Sequence, residues 1–311
     1  MTWFFICLII LLLSLITLAC CFILYKMVFS VGKKGVTDPY QIPVGNQFVG
    51  YKDTISQLIG KTIKIPFEEL YITSYDGLTL YGKYYYQSDN APYQILFHGY
   101  RSTGQRDFCG GLNLALELGY NVIVVDQRAH GKSQGNCLTF GVKERMDCMS
   151  WINYVRQRFG SDTKIILVGI SMGATTILLA GGEALPSNVV GMIADCGFSS
   201  PSKIIKKVMK DRHYPVALLY PLVRLGGKIY AGFDIEKYST LESLKKCNIP
   251  VLFIHGEDDH FVPCQMSCDN FNACASKKQL LTVPGAGHAM SYLVDYNGYK
   301  KSVVEFLNGL W

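Results

Sequence analysis

The sequence predicts an α/β protein: a mostly parallel central sheet with helices on both faces. Three observations carry that expectation. Short apolar runs rich in Ile, Val and Leu, at 94–97, 121–125, 164–170, 189–194, 250–254 and 280–283, alternate with stretches of helical spacing at 107–118, 142–159, 171–180 and 292–310. That alternation is the signature of successive strand–helix–strand units. Glu68–Thr73 and 78–86 flank Ser74-Tyr75-Asp76-Gly77, and Asp-Gly between two β-rich runs marks a hairpin, so the sheet opens with antiparallel strands. Finally, 311 residues that are 49% hydrophobic and 17% charged can bury one large core.

In chain order, the first 25 residues carry no charged side chain, and 3–24 is almost wholly apolar. At a helical rise of 1.5 Å, about 20 such residues cross the hydrocarbon core of a bilayer. A cleaved signal would have a basic start, a shorter apolar core and small residues before the cut. The expectation is therefore an uncleaved, single-pass anchor over 1–28. Leu18-Ala19-Cys20-Cys21 is similar to a lipoprotein cleavage site but lacks the basic start. Lys26, Lys33 and Lys34 follow the run and nothing basic precedes it, which places the folded domain on the cytoplasmic side of the cell membrane.

Residues 29–66 are punctuated by Gly32, Gly35, Pro39, Pro43, Gly45 and Gly50 and read as a membrane-proximal linker with one short helix at 53–59. The main domain is then 67–311. Between the strands at 189–194 and 250–254 lies more chain than one crossover needs. It contains a basic amphipathic piece at 203–209 and an apolar one at 217–230, and reads as a helical lid at about 200–246 over the strand ends. The lysines of 203–212 could face anionic lipid, but the plainer reading is the solvated face of a lid helix.

Composition excludes several functions. The net charge is +6 without a block of Lys or Arg, so no nucleic-acid partner is expected. Of eleven cysteines, Cys7, Cys20 and Cys21 fall in the anchor and the rest are scattered, as buried free thiols are in a reducing compartment. Cys264, Cys268 and Cys274 lack metal-ligand spacing, so no metal is expected.

The chemistry centres on Gly169-Ile170-Ser171-Met172-Gly173, where an apolar strand meets a helix and Ser171 sits at the turn. A side chain two residues before or after it would clash with neighbouring elements. Gly131-Lys132-Ser133-Gln134-Gly135 has the same spacing. However, it lies beyond the strand ending at Asp126, and no helix begins at Asn136-Cys137-Leu138-Thr139. A phosphate-binding loop there would need Gly where Asp126 stands.

A serine hydroxyl needs a base, and the base needs an orienting carboxylate. His288, in the loop Pro284-Gly285-Ala286-Gly287-His288-Ala289 after the last strand, is chosen over His98, His130, His213, His255 and His260. His98 and His255 each precede a Gly at a strand end, a place suited to bracing loops. The acid is expected after a strand, between Ser171 and His288 in chain order, where Glu257, Asp258 and Asp259 are neighbouring choices. Two backbone donors should meet the tetrahedral oxyanion: the N–H of Met172 at the helix start and that of Tyr100 after His98-Gly99.

HGYRSTG, VVDQRAHGKSQG, GISMGA, HGEDDHFVP and GAGHA, in this order, make the chain from Phe67 onward resemble the α/β-hydrolase superfamily. The resemblance is to membrane-anchored bacterial members similar to serine aminopeptidase-like and lysophospholipase-like hydrolases. It implies the α/β-hydrolase fold with a helical lid after the sixth strand. Its H-G-x-x-D-x-x-V-P pattern puts the acid on Asp259. Its D-x-R-x-H-G-x-S loop falls on Asp126, Arg128, His130, Gly131 and Ser133 as architectural residues, with Ala129 where Gly is more usual.

The implied activity is that of a membrane-tethered serine hydrolase acting on carboxylic esters, including lipid-like acyl esters, through Ser171, His288 and Asp259 without metal or cofactor. An ester is favoured over a peptide because nothing marks a propeller domain or an amine-binding acidic pair, and an apolar lid suits acyl chains. A peptidase or acyl-protein thioesterase of the same fold is the alternative among enzymes, and a catalytically silent binding module the alternative outside them.

Overall fold

The structure, a computed structural model, describes residues 1–31 and 40–310. Gly32, Lys33, Lys34, Gly35 and Pro39 of the linker and orientation readings lie outside the described residues. The chain begins with α1 (Thr2–Phe29), long and apolar enough to cross a membrane, and continues with α2 (Lys52–Ile63). The sheet and its helices follow: β1 (Glu68–Thr73), β2 (Thr79–Tyr85), β3 (Tyr93–Phe97), α3 (Gly104–Asp107), α4 (Cys109–Glu117), β4 (Asn121–Asp126), α5 (Glu144–Phe159), β5 (Ile165–Ile170), α6 (Met172–Ala180) and β6 (Val189–Asp195). After them come α7 (Pro201–Asp211), α8 (Val216–Gly226), α9 (Thr240–Leu244), β7 (Val251–Gly256), α10 (Gln265–Ala273), β8 (Lys278–Val283), α11 (Ser291–Val294) and α12 (Tyr296–Asn308).

The strands form one sheet in the order β1-β2-β4-β3-β5-β6-β7-β8. Among the described residues, antiparallel pairing is confined to β2 with its neighbours β1 and β4. From β4 to β8 the pairing is parallel. Every residue of β3, β4, β5 and β7 is buried, which explains why these strands read as unbroken apolar runs and not as alternating ones.

One face carries a core of Trp151, Ile152, Ile177 and Leu178 from α5 and α6 against Ile95, Ile123 and Leu167. The other packs Phe108, Leu112, Tyr299 and Phe306 from the α4 and α12 side against Leu96, Val124 and Ile166. Each fully buried aliphatic or Phe side chain contributes about 1.5–3 kcal/mol of transfer free energy. The two layers hold the carboxyl ends of the parallel strands, where the functional loops emerge.

Some elements differ from their expected form for local reasons. The helix expected over 292–310 is broken, because the Asp295 carboxylate accepts a hydrogen bond from Gly298 N at 2.9 Å and starts α12 afresh. The helix expected over 107–118 is observed as α4 over Cys109–Glu117, preceded by the short α3, which the Thr103 side chain caps before Phe108 turns the chain into α4. In the stretch between α1 and β1 the helix expected at 53–59 runs over Lys52–Ile63, and its buried Ile55 and Ile59 form a small core with Cys109 of α4.

A third apolar cluster joins Tyr25 and Phe29 of α1 to Ile204, Ile205 and Met209 of α7, Tyr220 and Val223 of α8, and Met172 at the start of α6. The end of α1 is thus packed into the region above the strand ends.

Candidate active site

Ser171 lies between the last residue of β5 and the first of α6, with φ 56° and ψ −114°. A non-glycine residue at positive φ stores roughly 1–3 kcal/mol of strain, so the surroundings must hold it there. They do so by close approach. A Cβ on Gly169 would stand 2.4 Å from the Gly173 carbonyl carbon, and one on Gly173 would stand 1.8 Å from the Phe97 oxygen. Strand β3, the turn and α6 therefore touch through backbone alone, and Ser171 is lifted at the strand ends. This is the steric role expected of the two glycines.

The structure brings the three expected side chains together. His288 Nε2 is 2.9 Å from Ser171 Oγ, and His288 Nδ1 is 2.6 Å from Asp259 Oδ2. A single neutral tautomer fits both contacts: Nδ1–H donates to the carboxylate and Nε2 accepts from the hydroxyl. Asp259 Oδ1 accepts from the N–H groups of Phe261 and Val262, both at 2.8 Å. Burial alone would raise the Asp259 pKa. The hydrogen bonds from His255 and His288, the charge of His288 and the Val262 N–H outweigh burial and hold this carboxyl well below the usual range. Glu257 and Asp258 do not reach His288; Glu257 accepts from Thr282 Oγ1 instead.

His255 braces the acid loop. Its Nε2 contacts Val262 O at 2.9 Å and Asp259 Oδ2 at 3.2 Å, while Nδ1 meets Ser267 Oγ at 2.6 Å. His98 and His130 are buried in edge-to-face contact, with ring centroids 4.8 Å apart. His98 Nε2 accepts from Gln127 N and His130 Nε2 from Arg101 N, so a second proton, on Nε2 of either ring, would face an N–H. Burial first, then in His130 the charge of its neighbour, lowers their pKa values to about 4 and about 3.

In the turn 99–102 nearly every amide has an acceptor. Gly99 N donates to Asp107 Oδ2 at 2.8 Å, Arg101 N to His130, and Ser102 N to Gly99 O at 3.3 Å. Tyr100 N has none among the described residues. Met172 N, in the first turn of α6, likewise lacks an intrahelical acceptor. The two expected oxyanion donors are thus the amides left over beside Ser171.

The second G-x-S-x-G serine is fully engaged elsewhere. Ser133 Oγ donates to Asp126 O at 2.5 Å and accepts from Tyr81 N at 2.8 Å, tying the loop to β2 and β4. In the same loop Arg128 is buried in a two-pronged ion pair with Asp147, both contacts at 2.6 Å, and also reaches Asp76 at 3.0 Å. Ala129 has φ 64°, which accounts for glycine being the usual residue there.

Two cavities meet at Ser171. One, of about 320 Å³, runs from Gln47 and Phe48 past His288 to Asp195 and Tyr299. The other, of about 190 Å³, lies between Ser171, the end of α1 and α7. Gln47 and Asp195 escaped the sequence reading. Gln47 Nε2 donates to His288 O at 3.2 Å, and nothing in its mixed surroundings signals that contact. Asp195, at the end of β6, is a carboxylate after a strand between Ser171 and His288 in chain order, so the rule that led to Asp259 also reaches it. Its Oδ1 has no hydrogen-bond partner among the described residues, and burial pushes its pKa up to about 7.

Cys196, Asp259 and His288 form one compact group of potential metal ligands. Burial pushes the Cys196 thiol well up and keeps it protonated, and both nitrogens of His288 are already engaged, so the group is a poor ligand set.

A parallel sheet with an elbow serine at its strand ends, a His loop after the last strand and an acid loop after the one before define an α/β hydrolase of the serine-hydrolase type. The chain belongs to the α/β-hydrolase superfamily. A family profile described as alpha/beta hydrolase fold matches residues 95–224, and one described as serine hydrolase (FSH1) matches residues 192–290. The chain is 30% identical over 200 residues to YqkD of Bacillus subtilis (strain 168), covering 64% of this chain and 66% of that protein. It is 27% identical over 259 residues to the protein bem46 of Schizosaccharomyces pombe, covering 79% and 78%. Among solved structures, the Pyrococcus furiosus esterase Pf2001 superposes with a TM-score of 0.64 at 22% identity, over 87% of this chain and 98% of that one.

Proposed function

We propose that the protein is a membrane-tethered serine esterase in which Ser171 is the nucleophile, His288 the general base and acid, and Asp259 the group that orients and stabilises the imidazolium. The observation that carries this reading is the hydrogen-bonded series Ser171–His288–Asp259, with the serine at positive φ on its elbow. Ser171 Oγ attacks the acyl carbonyl as its proton passes to His288 Nε2. The oxyanion is met by the N–H groups of Tyr100 and Met172. Collapse expels the alkoxide, which takes the proton from His288. Water then attacks the acyl-enzyme, giving its proton to His288, and the carboxylic acid leaves as Ser171 is reprotonated.

In this reading residues 1–28 anchor the chain, 29–66 connect, and 67–311 form the catalytic domain with its lid at about 200–246. An ester is favoured by the apolar lining of the space above Ser171, where Phe198, Ile204, Ile205 and Met209 leave little to hold a peptide backbone. Lys26 at the domain end of α1, with no charge before it, supports a cytoplasmic placement.

The test uses the full chain. The wild type is expected to react with a fluorophosphonate and to hydrolyse p-nitrophenyl butyrate, and Ser171→Ala to do neither. Unchanged hydrolysis and labelling in the variant would remove Ser171 from the reaction.

A further inference from the structure

The smaller of the two cavities at Ser171 has an unusual wall: the last turn of the membrane helix. Met27 and Val28 of α1 line it together with Phe198, Ile204, Ile205 and Met209. That turn is fixed in place. Arg101 donates from its guanidinium to Met27 O at 2.9 Å and to Ser30 O at 2.7 Å, and Tyr100 donates from its hydroxyl to Val28 O at 3.1 Å. Leu138 N donates to Phe29 O at 2.8 Å, and Phe29 itself is fully buried between Phe140 and Phe233. The terminal carbonyls of a helix need partners, and here the loop beside Ser171 supplies those of Met27, Val28 and Ser30 and Leu138 that of Phe29.

Helix α8 and the short helical turn after it lie along the same membrane helix. A Cβ on Gly226 would come within 2.6 Å of Cys21 O, so glycine lets the two backbones approach as they do between helices in lipid. Tyr230 donates from its hydroxyl to Leu18 O at 3.1 Å. Leu18 is six residues inside the apolar run that ends at Leu24, which is about 9 Å along a helix axis.

The outward face of this element is apolar. Leu218, Leu225 and Ile229, spaced by seven and four, are 66%, 38% and 47% exposed. The cations among them, Arg224 and Lys228, are both paired with Asp234, at 2.7 Å and 3.0 Å. An exposed apolar stripe is ordinarily a liability in water, and this one continues the exposed apolar surface of α1. Its occupant follows from that continuity: the acyl chains of the bilayer that α1 crosses.

We propose that α8 is seated in the lipid beside α1, and that the substrate is a single-chain acyl ester drawn laterally from the bilayer, its acyl chain lying in the cavity walled by Met27 and Val28. This deepens the esterase reading and rests on it.

The experiment uses the full chain in phosphatidylcholine vesicles carrying long-chain monoacylglycerol, with short- and long-chain p-nitrophenyl esters in parallel and fluorophosphonate labelling of each variant. Val28→Trp, which fills the cavity from the α1 side, is expected to lower the long-chain to short-chain ratio of kcat/KM by about tenfold. Val28→Ala, which adds room and no bulk, is expected to move the preference toward longer chains. Leu218→Glu/Leu225→Glu/Ile229→Glu is expected to lower vesicle-borne turnover about tenfold relative to turnover of the soluble short ester, with labelling retained.

Unchanged chain-length profiles in both Val28 variants would remove the cavity as the acyl site. Unchanged vesicle turnover in the triple variant would remove α8 from the bilayer. A wild type that never labels with fluorophosphonate would overturn the esterase reading beneath, a different result from either.

Discussion

The molecule contains the same five-residue pattern twice, and the two copies do unlike things. Ser133 spends both its donor and an acceptor position on backbone, bridging Asp126 O and Tyr81 N inside the domain. Ser171 has its hydroxyl on His288 and sits at positive φ with a cavity on each side. Even the glycines differ in purpose. Those around Ser171 allow β3, β5 and α6 to touch, whereas Gly131, at φ 51°, leaves room for the Asp126 carboxylate, which a Cβ there would meet at 2.0 Å. The pattern alone therefore carries no chemistry. What carries it is the element on each side and the partner of the hydroxyl.

Removing each hydroxyl in turn tests that contrast. Ser171→Ala should lose on the order of 10⁵–10⁶ in kcat for p-nitrophenyl butyrate while its thermal midpoint stays close to that of the wild type. A variant that stays active, or unfolds, would erase the distinction between the two serines. Asp259→Asn disturbs the tautomer that points His288 Nε2 at Ser171, and a loss on the order of 10³–10⁴ in kcat is expected, read in the same assay.

The acid that ends β6 and the one in the loop after β7 extend the contrast. Asp195 has a folded pKa of about 7 against an ordinary 3.8, because burial disfavours its charge. As pH rises from 3.8 toward 7, the unfolded chain releases this proton and the folded one retains it, so this group's contribution to stability falls across that window and is level above it. Asp195→Asn should therefore gain stability over the wild type progressively between about pH 4 and 7, reaching a few kcal/mol. Denaturant titrations at pH 5 and pH 8 measure it, and an equal difference at both would refute the assignment.

The smallest effect expected is that of Ser133→Ala. It leaves Tyr81 N–H without its acceptor, at a cost of about 1–3 kcal/mol, with kcat per folded molecule unchanged. Urea midpoints together with active-site titration separate the two quantities.

Much of this is legible in the amino-acid sequence alone. The parallel strands announced themselves because burial on both faces demands unbroken apolar runs, and Ser171 was separated from Ser133 by the strand before it and the helix after it. Asp259 was less secure. Three adjacent acids share its loop, and only the motif resemblance chose among them, since the choice depends on which carboxylate the His255 and Val262 contacts turn inward. Asp195 was missed for a related reason: a carboxylate after a strand gives no sign of which way it faces. Gln47 and the packing of α2 depend on contacts between distant stretches whose local composition is ordinary. The seating of α1 against the domain is equally hidden, because Tyr25 lies just past the apolar run of 3–24 and Phe29 opens the linker, and neither carries a local sign of a distant partner.

That seating has a consequence for how the enzyme is held. A domain on a flexible tether would tumble and present its active site to the membrane only part of the time. Here Phe29 is locked among Phe140 and Phe233, and Arg101 and Tyr100 grip the carbonyls of the last turn, so helix and domain move as one piece. In the membrane-tethered reading proposed above, a bilayer that orients α1 would also fix the height and heading of Ser171, as a keel fixes the heading of a hull.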